Sequence, residues 1–89
     1  MDIDTYYQSV KFYIVESAKI KGELAKHETE YYPEKVRDLI DSYKYTIRKV
    51  IEHGEIYLSL DNQDEEKAKK IYSATNAYRK LLDSISNNE

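Results

Sequence analysis

No cysteine occurs among the 89 residues, which excludes a disulfide framework and any thiolate-held metal. Tryptophan is also missing, and the chain has only two glycines and one proline. An all-β chain needs frequent turns, and turns draw on glycine and proline, so that class is excluded as well. No apolar run approaches the ~18 residues of a membrane span. The opening residues, MDIDTYYQ, are acidic and polar, without the basic and apolar regions of a secretory signal. Basic blocks are lacking, and the net charge of −3 is well mixed along the chain. Attraction to nucleic acid or to anionic membranes is therefore not the default expectation. These absences lead us to expect a cytoplasmic protein with no membrane partner.

Charge and tyrosine are what the chain does have. Charged residues make up 35% of it, and Lys, Glu, Leu, Ile and Tyr dominate, which reads as all-α. Eleven lysines against three arginines resemble the usage of low-GC genomes. Ten tyrosines stand beside a single phenylalanine. Tyrosine combines a large apolar ring with a polar tip, which suits half-buried positions and interfaces. A chain this short builds only a marginal core, so self-association is a natural source of stability.

Hydrophobic periodicity predicts three helices, over about 4–31, 33–60 and 63–85. Asp2 or Asp4 can cap the first. Pro33 fits the first turn of the second helix and disfavours helical backbone at Tyr32. The second helix has the cleanest seam: Val36, Ile40, Tyr43, Ile47, Val50, Gly54 and Tyr57. Arg37, Asp41, Lys44, Arg48, Glu52 and Glu55 occupy its other side. Because the seam continues through Gly54, one helix is preferred there over a stop at the glycine. Asn62 and Glu65 have the spacing of a capping box, opening a third helix with Ala68, Ile71, Thr75, Tyr78, Leu82 and Ile85 as its seam. Similar lengths and short turns imply an up-down-up antiparallel three-helix bundle. In that register Gly22 would face Tyr43, and Gly54 would lie near Tyr72.

The first helix carries two apolar stripes. One follows Ile3, Tyr7, Val10, Ile14, Ala18, Gly22 and Ala25. The other follows Tyr6, Tyr13, Ile20, Leu24 and Tyr31, roughly 90–100° around the helix. Together they span roughly 220°, against about 100° for an ordinary amphipathic helix. The second stripe is therefore the expected interface, serving a homodimer, another protein partner, or both. Phe12 falls on the polar side of the first helix. Tyr45 and Ile56 fall on the polar side of the second, beside Lys49 and Glu52, as a smaller contact patch.

The search for chemistry yields little. His27 has only Glu23 nearby, too few ligands for a metal, and no metal or cofactor is expected. Neither a Gly-rich phosphate loop nor HExxH is present, and the serines lie in helices without an evident base. The segment RKVIEHG places Arg48 ahead of His53 with four residues between them. This resembles the R-x4–6-H motif of HEPN-domain ribonucleases, and the DEEKAKKIYSATNAYRKLLDSI stretch resembles the helix that often closes such domains. The resemblance implies an all-helical dimer in which Arg48 would stabilise phosphate charge and His53 would move a proton. Two solvated helix residues are the competing reading, and it is preferred. The expected function is accordingly a small protein-interaction module, such as a phage or mobile-element inhibitor of a host protein. A minimal HEPN-like ribonuclease and a helical structural subunit are the alternatives.

Overall fold

A computed structural model describes residues 2–27, 33–61 and 63–87. They form three helices, α1 (Ile3–His27), α2 (Pro33–Ser59) and α3 (Glu65–Asn87), with no strand among the described residues. The molecule is an all-α, up-down-up antiparallel three-helix bundle, 49 Å long and 22 by 19 Å across. Within it, α2 is the central element. Both other helices pack along it, while α1 and α3 touch each other only narrowly. No helix is long and apolar enough to cross a membrane.

The starts of α1 and α3 each carry a cap. The Asp2 carboxylate accepts bonds from the Thr5 backbone N–H at 2.9 Å and the Thr5 hydroxyl at 3.0 Å. Asp64 accepts from the Lys67 N–H at 3.0 Å, the N-cap-to-N3 bond of α3. Asn62, the cap read from sequence, lies outside the described residues; the cap bond comes from Asp64. α2 continues through Gly54 and ends at Ser59. There the Gln63 amide donates to the Leu58 and Leu60 carbonyls at 2.6 and 2.7 Å, satisfying acceptors that a helix end leaves open.

Val10, Ile47, Val50, Tyr57 and Ile71 form the fully buried core. Around α2 the buried arc widens to Thr46 on one side and Lys44 on the other. These two lie roughly 160° apart at ~100° per residue, the arc expected of a helix covered from two sides. Lys44 was read as part of the polar face, and the packing on both sides corrects that.

The seam of α1 also departs from expectation. Ala18, Gly22 and Ala25 are exposed, and Ser17 is buried in their place. Beyond it Ile20 and Leu24 are half-buried. Each four-residue step advances about 40° around a helix, so two in succession from Ile14 carry Ala18 and Gly22 off the contact. Three-residue steps through Ser17 and Ile20 return the chain to α2. From Ser17 onward the contact thus passes to the second stripe, whose earlier members Tyr6 and Tyr13 already flank the first stripe against the core. Gly22 has nothing within 4 Å of where a Cβ would stand, so it makes no close approach to Tyr43. Gly54 does mark a close approach, though to different residues than Tyr72. A Cβ there would collide with the Thr75 hydroxyl and stand 3.5 Å from Ile71 Cγ2. Tyr72 itself is largely exposed.

Candidate functional site

On the side of the α1–α2 contact away from α3, five rings follow one another edge to face. Tyr6, Ser9 and Tyr13 recur every three or four residues on α1, and Tyr45, Lys49 and His53 every four on α2. Each set therefore shares one helix face. The His53 ring sits between Tyr6, 5.6 Å away at 85°, and Tyr13, 5.9 Å away at 76°. Tyr13 meets Tyr45 at 6.2 Å and Phe12 at 5.2 Å, again nearly perpendicular. Edge-to-face contact sets the positive ring edge on the negative face of the next ring, a favourable arrangement. A side-chain hydrogen bond with Tyr45 first, and burial second, raise the Tyr13 pKa above its ordinary value. Lys49 lies 5.6 Å from the centroid of the Tyr45 ring and pairs with Glu52 at 3.5 Å.

Tyr6 and Tyr13 are half-buried and pack on the core, so the chain itself covers part of the stripe they belong to. Ile20 and Leu24 are half-buried further along α1. Tyr31 and the His27 side chain lie outside the described residues. Phe12 and Tyr45 are the open part of the aromatic row, at 56% and 54% exposure. Ile56 is half-buried on the same face of α2 as Tyr45, Lys49 and Glu52.

A pairing that sequence reasoning missed lies beneath the row. The Ser9 hydroxyl and His53 Nδ1 are 2.5 Å apart, so one serine does have a base beside it. Register hid the pair. Placing Ala18 opposite Ile47 puts Ser9 level with Ile56, about one helical turn from His53. Ser9 lies well inside α1, where backbone N–H groups bond within the helix and leave no donors for an oxyanion. The bond ties two helices together.

Arg48 is exposed and His53 faces α1. Five residues turn a helix by roughly 140° beyond a full revolution, so the two side chains of one chain diverge. Among the described residues no group of three His, Asp or Glu could hold a metal ion. A shallow, mainly apolar groove runs between Leu58, Ala68 and Tyr72 at the far end of α2, edged by Glu65 and Lys69.

No protein-family model matches the chain, and comparison with curated proteins and with solved structures also finds no match.

Proposed function

We propose that this chain is a cytoplasmic protein-interaction module without catalytic activity, and that the α1–α2 edge is where its partner docks. The observation that carries the reading is the exposure of Phe12 and Tyr45 on either side of the half-buried Tyr13. Aromatic rings are enriched at interfaces and often dominate their energetics. Here the row is already fixed by ring contacts beneath it, so little side-chain freedom remains to be lost on binding. Ile20 and Leu24 extend the apolar strip along α1, while Lys49, Glu52, Glu16 and Lys19 give it a charged rim.

A photo-crosslinking residue in place of Phe12, compared with one in place of the exposed Asp83 on α3, tests this in living cells. Covalent protein adducts are expected from position 12 and not from position 83. Equal yields from both positions, or none from position 12, would overturn the reading.

A further inference from the structure

We propose that the occupant of this edge is a second copy of the chain, laid antiparallel across it about a twofold axis. The inference rests on the edge being an interaction surface, and it follows from the order of charges and rings along that surface. Tyr13 touches both Tyr45 and His53, four residues to either side of Lys49, so Lys49 stands level with Tyr13. The Ser9–His53 bond fixes the same register independently, because Ser9 lies four residues before Tyr13 and His53 four residues after Lys49 on the antiparallel helix.

At ~1.5 Å per residue, heights along the edge follow directly. Measured from Tyr13 toward the end of α1, Glu52 stands at about −4.5 Å and Phe12 at about −1.5 Å. Lys49 stands at zero, Glu16 at about 4.5 Å, Tyr45 at about 6 Å and Lys19 at about 9 Å. The order is acid, ring, base, acid, ring, base, and it has a centre about 2 Å beyond Tyr13. A twofold axis lying in the face and crossing the helices at that height reverses the order. It brings Glu52 level with the copy's Lys19, Phe12 level with its Tyr45, and Lys49 level with its Glu16. Each pair is opposite in charge or aromatic on both sides. They run diagonally, from α1 of one copy to α2 of the other, a span that long Lys and Glu side chains can cross.

Within one chain Lys19 pairs with Glu16 at 3.3 Å and Lys49 with Glu52 at 3.5 Å, so the strip is locally neutral. Two copies can therefore approach along it although each carries a net charge of −3. Self-complementarity of this kind is what an isologous interface requires.

Light scattering behind size exclusion, at tens of micromolar, reads the outcome. The chain should run at twice its 10.6 kDa mass. Lys49→Glu should weaken the dimer about ten-fold or more, because two attractive pairs become repulsive. Adding Glu16→Lys should restore it. Lys19→Glu followed by Glu52→Lys repeats the test at the outer pairs, should the first variants lose helical circular dichroism. A monomeric parent chain, or charge exchange that fails to restore a folded variant, would overturn the second copy as occupant. Adducts from position 12 to a different protein would then leave the interaction reading standing. Failure to crosslink at all would remove both.

Discussion

The chain's two glycines lie inside helices and are governed by opposite constraints. Gly22 faces open space, so Gly22→Ala gains helix propensity and meets no neighbour. It should stabilise the fold by up to about 1 kcal/mol. At Gly54 the same gain is outweighed, because the Cβ would meet the Thr75 hydroxyl and approach Ile71. Gly54→Ala should destabilise by about 1–3 kcal/mol, the usual cost of overpacking. Thr75→Ala in the same chain should recover part of that loss, and urea denaturation of the four variants closes the cycle. Thr75 is a sensitive site in its own right, since its buried hydroxyl has no hydrogen-bond partner among the described residues. A packing reason for Gly54 was legible from its place in the middle of a seam. Its partner was not, because Tyr72 and Thr75 are only three residues apart and register alone decides which of them meets the glycine. Gly22 was misread for a similar reason: alternating three- and four-residue spacing fits Ala18 and Ser17 almost equally well until the neighbouring helix is in place.

The helices themselves were legible from periodicity, whereas their ends depend on single hydrogen bonds that periodicity does not contain. Asn62 and Asp64 both have a side-chain oxygen that can cap, and the Asp64–Lys67 bond supplies the cap seen at the start of α3. Asp64→Ala should therefore cost about 1 kcal/mol and speed amide exchange in the first turn of α3. Gln63 holds the end of α2 on the other side of the same turn. Removing its amide in Gln63→Ala should speed exchange in the last turn of α2 and leave the first turn of α3 protected. Equal loosening of both helix ends in either variant would show that the turn acts as one unit instead of two caps. The apolar face of α1 was legible only in its first half. A seam of 3.6-residue period drifts across any straight contact, and the sequence contains apolar residues along both possible continuations. Where α2 lies decides between them, and that is a property of two elements.

At the scale of the molecule, α2 does most of the joining. The α1–α3 contact is narrow, and its polar links include the Ser17 and Tyr78 hydroxyls 2.7 Å apart, and Lys67 near both Asp4 and the Tyr7 ring. The bundle class was legible from three similar helices and two short turns. The Phe12–Tyr13–Tyr45 row was not, because two of its members looked like isolated exposed residues on separate helices until packing brought them together. Tyrosine at so many of these junctions gives the whole fold an alkaline limit. Burial raises the pKa of Tyr57 and of Tyr43 above 10.0, and the Tyr45 bond with burial raises that of Tyr13. In each case the folded chain holds its proton after the unfolded chain has lost it. Stability from these groups is therefore complete below the unfolded value near 10 and falls as pH rises through the higher folded values. Thermal melts should be flat in this respect up to about pH 9 and decline steeply above pH 10. Tyr57→Phe keeps the ring in the core and removes the ionisable hydroxyl, so the decline should become shallower. A decline as steep in Tyr57→Phe as in the parent chain would take the alkaline limit away from the buried ring.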